Sequence, residues 1–139
     1  AEPHDVYEYP NSRFVAEFMG EVNLFPLSGG SDGVAASETL GIRSGTMVEG
    51  LDAGGRGLLM VRPEYLRFAA DEGSHDFTLS GILRAEYALG SRIQYEIETS
   101  SGDIVTVEKL REDRLNAAED HHVSVGFNTD ATHFISEAT

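Results

Sequence analysis

The chain of 139 residues contains no cysteine and no tryptophan, and its one lysine is Lys109. Without cysteine there are no disulfides and no thiolate metal sites, and a reducing compartment is permitted. With its one lysine in Val107-Glu108-Lys109-Leu110, the chain holds no P-loop. That loop needs Gly-Lys-Ser/Thr, so that the ammonium reaches the terminal phosphates and the hydroxyl reaches the metal. No apolar run approaches the ~20 residues of a membrane-spanning helix. No basic segment precedes an apolar one, so no signal peptide is expected, and a chain opening Ala1-Glu2-Pro3 is read as a fragment.

Basic residues are also scarce: ten face 24 acidic ones, for a net charge of −14. Nucleic-acid affinity comes largely from neutralising phosphates, and ten cations scattered from Arg13 to Arg114 form no basic face. No nucleic-acid partner is expected. An acidic surface attracts cationic substrates but more simply keeps a protein soluble, and solubility is the preferred reading. Hydrophobic residues at 40% suffice for a core, and the length suits one domain or two small lobes sharing a core.

Along the chain, residues 1–20 carry two short apolar faces, Val6 with Tyr7 and Phe14, Val15 with Phe18. Pro10 and Asn11 interrupt them, Asn11 or Ser12 offers an N-cap and Gly20 a stop, which predicts a short helical clasp lying against a barrel. Its acidic residues outnumber its single arginine, so a DNA-reading role is not assigned. After Asn23 the pattern is that of short strands. Gly and Ser punctuate residues 24–60, where strands are predicted at Asn23–Leu27, Gly33–Ala36, Met47–Leu51 and Gly57–Arg62. From Phe77 the period is two: a strand runs to Leu89, a second alternates Ile93, Tyr95 and Ile97 against Arg92, Gln94, Glu96 and Glu98, and Ser100–Asp103 turns the chain into Ile104–Val107. A polar crossing from Glu108 to Asp120 leads to Val123, Val125 and Phe127, then to His133–Ile135. Such spacing of short strands predicts a barrel or sandwich.

Candidate sites are few. Leu27-Ser28-Gly29-Gly30-Ser31 looks like the Leu-Ser-Gly-Gly-Gln signature of ABC ATPases, but its fifth residue differs and no apolar run ending in Asp-Glu follows, so a turn between strands is preferred. Asp120-His121-His122 invites a metal, yet adjacent strand histidines point to opposite faces. Asp71-Glu72 and Glu112-Asp113 sit in polar runs without a pocket signal, and no serine nucleophile is assigned. At Val61-Arg62-Pro63-Glu64 the proline cannot donate a ladder hydrogen bond, so pairing ends there. Arg62 offers a planar fork to a carboxylate or an anionic ligand, and Glu64 is its candidate partner; a charged clasp between lobes is the structural alternative. Asn23 is a candidate for a backbone hydrogen bond that fixes how the clasp enters the barrel.

The strings Pro3-His4-Asp5-Val6-Tyr7-Glu8-Tyr9-Pro10, Phe14–Asn23 and Val61–Leu66 resemble the C-terminal half of an ABC-importer ATP-binding subunit. The resemblance covers nearly the whole chain. It implies a mainly β fold, an OB-like barrel of short antiparallel strands (the transport-associated OB, or TOBE, domain) behind a short N-terminal helical clasp. The implied division is 1–20 as linker after a missing ATPase domain and 21–139 as the β domain, in lobes of about 21–62 and 63–139. Gly20-Glu21-Val22-Asn23-Leu24-Phe25 is similar to the spermidine/putrescine subgroup. By resemblance the domain is regulatory and not itself an enzyme: it holds two ATPase subunits together as a homodimer, and the parent couples ATP hydrolysis to import through membrane permease subunits at the cytoplasmic face. ATP and Mg then belong to the missing domain, and no cofactor, metal or catalytic residue is expected in this chain. The alternatives are a ligand-sensing module that binds the transported solute or an anion and inhibits transport, and a free-standing OB protein for oligosaccharide or nucleic acid, which the charge disfavours.

Titration calorimetry of this chain with Mg-ATP is expected to show no heat of binding. Micromolar affinity would overturn the assignment of Leu27–Ser31 to a simple turn.

Overall fold

The computed structural model describes residues 22–68, 70–71, 73–115 and 121–137. The clasp predicted over 1–20 lies outside the described residues. Ten strands follow: β1 (Asn23–Gly29), β2 (Ala35–Ala36), β3 (Gly41–Ile42), β4 (Arg56–Val61), β5 (Arg67–Phe68), β6 (Phe77–Leu89), β7 (Arg92–Thr99), β8 (Ile104–Leu110), β9 (His122–Phe127) and β10 (Thr132–Ser136). Single 3-10 turns cover Pro63–Tyr65, Arg111–Asp113 and Thr129–Ala131.

The strands form two antiparallel sheets, one in the order β10-β4-β1-β2, the other β5-β9-β6-β7-β8 with β3 also on β6. β4 reads Arg-Gly-Leu-Leu-Met-Val and is buried from Gly57 to Val61, as a central strand covered on both faces must be. β10 closes the first sheet from the far end of the chain, pairing Phe134 with Leu59 and Ile135 with Leu58. Gly57 permits that approach, because a Cβ there would stand 2.3 Å from the Ile135 carbonyl oxygen.

β6 is the spine of the second sheet. Its first half alternates buried and less buried residues; a register shift at Leu83/Ala85 then twists it into a hairpin with β7 whose tip is exposed. The sheet curls, so that Phe68 of edge strand β5 packs edge-on against Tyr95 of β7 at 5.2 Å, with rings 87° apart.

The two sheets share one core. Phe25 of β1 stacks on Phe127 of β9 at 5.8 Å, Phe127 stacks on Phe77 of β6 at 5.1 Å, and Leu27, Leu59, Val61, Leu83, Ile97, Val105 and Val107 join the same cluster. Tyr95 is fully buried, and its hydroxyl oxygen accepts the Leu115 N–H at 2.7 Å. Burial pushes that phenol above its ordinary value.

A polar clamp accompanies the apolar one. Asn23, 6% exposed, donates from Nδ2 to the Thr106 carbonyl at 2.7 Å and accepts the Thr106 N–H on Oδ1 at 2.9 Å. Among the described residues β8 pairs with β7 alone; on its other edge the carboxamide imitates a strand and satisfies a donor and an acceptor that burial would otherwise orphan.

Two predicted segments differ. Met47–Leu51 is not a strand: Gly45 (φ 87°) and Gly50 (φ 92°) adopt the left-handed conformation of turns, Leu51 N–H closes one on the Val48 carbonyl at 3.2 Å, and Met47 is 82% exposed. Conversely β8 continues past Val107 to Leu110, with Lys109 opposite Ile93, because an edge strand accommodates charge that an apolar pattern does not signal.

Asn23→Ala leaves two buried backbone groups unpaired, at about 1–3 kcal/mol apiece. Denaturant unfolding is expected to show that loss. Asn23→Asp is expected to be worse near neutrality, where a carboxylate faces the Thr106 carbonyl, and to recover relative to Asn23→Ala on acidification.

Candidate functional site

The segment after β4 turns sharply. Pro63 fixes the first position of the 63–65 turn, the Tyr65 N–H donates to the Arg62 carbonyl at 3.1 Å, and Leu66 is fully buried beyond it. This turn, β10 and the loops around β9 surround an open cleft of about 540 Å³, whose walls include Arg62, Glu64, Arg67, His75, Asp130 and His133.

Arg62 and Glu64 therefore meet at the cleft. Arg62 Nε stands 3.3 Å from Glu64 Oε2, with the two side chains 41% and 33% exposed. The Nε atom is itself covered yet makes no aligned hydrogen bond, so the pair is a local ion contact across one turn. Asn23 lies elsewhere, in the β1–β8 clamp, and is not among the cleft residues.

His75 reaches the cleft because β9 carries Gly126, where a Cβ would come within 2.7 Å of His75 Nδ1. Ser74 Oγ shares a hydrogen bond with the same nitrogen at 2.8 Å. Next to it Asp76 holds three pieces of chain together. Its carboxylate accepts the Thr129 N–H at 2.9 Å and the Thr129 hydroxyl at 3.1 Å, and pairs with Arg43; its own N–H donates to Asn128 Oδ1 at 2.9 Å. The backbone hydrogen bond from Thr129, against some burial, holds the Asp76 carboxyl below its ordinary value, with the Arg43 guanidinium adding to the effect.

Other flagged residues are dispersed. His121 and His122 are exposed at the entry to β9, and among the described residues no group of three His, Asp or Glu is placed to hold a metal ion. Asp113 lies in the 111–113 turn, and the Asp71 carbonyl accepts the Ser74 hydroxyl at 2.6 Å. Gly29-Gly30-Ser31-Asp32-Gly33 spells Gly-x-Ser-x-Gly, the sequence form of a serine nucleophile. The segment forms the β1–β2 hairpin turn, with the Gly33 N–H on the Gly30 carbonyl at 2.9 Å, not the strand-to-helix elbow that exposes a nucleophile. His75, Arg67 and Asp76 were not singled out in the sequence, since no motif marks residues that converge only through β5–β9 and β6–β9 pairing.

Residues 59–135 match the TOBE domain family. A Fe(3+) ions import ATP-binding protein, FbpC, of Brucella abortus is 32% identical over 129 residues, covering 91% of this chain and 35% of that protein. A spermidine/putrescine import ATP-binding protein, PotA, of Ruegeria pomeroyi is 30% identical over 129 residues, covering 90% of this chain and 34% of that protein. The chain thus spans about a third of the length of these relatives. Among solved structures, the cytoplasmic molybdate-binding protein ModG with molybdate bound aligns with a TM-score of 0.61 at 12% identity, over 81% of this chain and 94% of that one. At that identity the likeness is one of fold.

Asp76 yields a pH prediction. Its lowered carboxyl contributes stability that is present above the ordinary value of 3.8 and lost as pH falls through the folded value. Asp76→Asn keeps the shape and removes that dependence, so its acid-unfolding curve is expected to be flatter between about pH 5 and 2, at lower stability near neutrality. Parallel curves for both proteins would show that Asp76 carries no linkage.

Proposed function

Because this chain belongs to the TOBE domain family, we propose that it is the regulatory part of the ATP-binding subunit of an ABC importer. The observation that carries this is the match over residues 59–135, joined to two importer subunits that are similar along nine-tenths of the chain. In that role the domain performs no chemistry; ATP and Mg act in an ATPase domain of the parent, and permease subunits carry the solute across the membrane from which the subunit hangs on the cytoplasmic side. The domain's part is mechanical. It joins one ATPase subunit to its copy and so holds the pair in register through cycles of hydrolysis, as an isologous two-fold contact does.

For the solute we favour a polyamine, on the Gly20–Phe25 string and the PotA relatives. Ferric iron is the second reading, supported by the FbpC relatives, which reach 35% identity in Agrobacterium fabrum. The ligand-sensing alternative draws support from the shared fold with molybdate-binding ModG and from the open cleft beside Arg62 and Glu64.

Sedimentation of the chain in ~0.15 M salt, a physiological ionic strength, is expected to reveal reversible dimer that strengthens with added salt, since −14 on each copy opposes association. A strict monomer, with full-length subunits also lacking a contact through this domain, would overturn the scaffold role. Uptake by the reconstituted importer is expected to be ATP-driven for spermidine and not for ferric iron; the reverse would replace the solute and leave the domain assignment intact.

A further inference from the structure

Seven large hydrophobic side chains stand exposed among the described residues, and four of them share one face. The ladders place them there. Residues opposite each other in neighbouring strands point to the same side of a sheet, and along each strand the sides alternate. One side of β6–β7–β8 sends Ile93, Tyr95 and Ile97, with Val105 and Val107, into the core. The opposite side therefore carries the rows Leu89–Arg92–Leu110, Tyr87–Gln94–Glu108 and Glu98–Ile104. On it Tyr87 is 47% exposed, Leu89 51%, Ile104 53% and Leu110 45%. The other three lie apart from one another: Val34 before β2, Met47 between the Gly45 and Gly50 turns, and Tyr65 in the 63–65 turn. Exposed apolar side chains scattered singly are ordinary on a protein surface, whereas a group of them on one sheet face marks a contact.

Charge indicates what covers this face. With −14 on each molecule, a surface of free carboxylates would hold two copies apart. Here all three acids are engaged: Glu98 by Arg84 at 2.8 Å, Glu108 by Arg92 at 2.5 Å, and Glu96 by the Tyr87 hydroxyl, which donates to it at 3.4 Å. We propose that the outer face of β6–β7–β8, around Tyr87, Leu89, Ile104 and Leu110, is the surface by which two copies of this chain meet, face on face about a two-fold axis. The inference rests on the homodimer reading above and adds the location which that reading lacks. A face that meets its own copy must be self-complementary. The apolar side chains pack on those of the copy, and Arg92 and Glu108, opposite in charge and in adjacent rows, can exchange partners across the axis. The four half-exposed side chains supply on the order of 400 Å² per copy, against the ~800 Å² that a stable complex buries on each partner. The contact is therefore reversible by itself, and the remaining area has to come from elsewhere in the parent subunit.

The lack of cysteine makes the test direct. Leu89→Cys, treated with a short bismaleimide at concentrations where the unaltered chain sediments as monomer and dimer, is expected to give cross-linked dimer. Val34→Cys, at a position 60% exposed but off this face, is expected to stay monomeric under the same treatment. Leu89→Glu/Leu110→Glu is expected to weaken the dimer roughly tenfold or more, because carboxylates would be buried against the copy, and to keep the Tm of the unaltered chain, since both positions are half-exposed in the monomer. Equal cross-linking of the two cysteine variants, or a double variant of unchanged Tm that dimerises as the unaltered chain does, would overturn this surface and leave the homodimer standing. Should the double variant unfold at a lower Tm, the cysteine pair decides. Where the chain alone is monomeric, the same cysteines go into the full-length subunit freed of its other cysteines: cross-linking at Leu89→Cys and not at Val34→Cys supports the surface, any other pattern overturns it, and full-length subunits that make no contact through this domain overturn the homodimer reading as well.

Discussion

The side-chain amide of Asn23 is the constraint on which the arrangement of the two sheets turns. Apolar packing of Phe25, Phe77 and Phe127 draws the sheets together but fixes no register between them, since hydrophobic attraction is non-directional. The paired hydrogen bonds between Asn23 and Thr106 are directional, and they are buried. A slide of β1 along β8 by one residue would leave four polar groups without partners. The clamp therefore specifies which strand of one sheet lies beside which strand of the other, and it fills one donor and one acceptor on the edge of β8.

Charge contributes little to that framework. The arginine–glutamate pairs on the β6–β7–β8 sheet have at least one well-exposed member each, and such pairs are worth about 0.2–1 kcal/mol. Arg62 and Glu64 belong to the same class, an ion contact spanning a single turn at the rim of a cleft. Asp76 is different because its side chain is 14% exposed and its acceptors are filled by a backbone N–H, a hydroxyl and a guanidinium, so that it ties the 129–131 turn and the residue after β3 to the start of β6. Stability here rests on core packing and on two polar anchors, one buried at Asn23 and one partly buried at Asp76.

Much of the β architecture was legible in the chain. The strict alternation of Ile93, Tyr95 and Ile97 against charged neighbours could be satisfied in no other way than by a half-buried strand, and Ser100–Asp103 supplied the turn chemistry. The stretch from 24 to 60 was less legible, because very short strands carry too few alternations to set a period. Met47 and Val48 look strand-like, yet Gly45 and Gly50 commit their surroundings to turns. The site was hardly legible at all. Arg62 and Glu64 could be named from Pro63 and the charges around it, but Arg67, His75 and Asp76 carry no motif, and the serine pattern at Gly29–Gly33 has meaning only once the turn that contains it is seen.

By itself the sequence determined what this chain excludes and what it belongs to: no P-loop, no thiolate chemistry, short antiparallel strands, and the TOBE family. Those follow from residue identity and local period, which are properties of contiguous chain. Tertiary structure alone decided that β10 returns to β4, that Asn23 finds Thr106 across 83 residues, and that Asp76 gathers Arg43, Asn128 and Thr129 around it. Each of these is a relation between distant segments, set by how two sheets bury one core, and no local pattern encodes it.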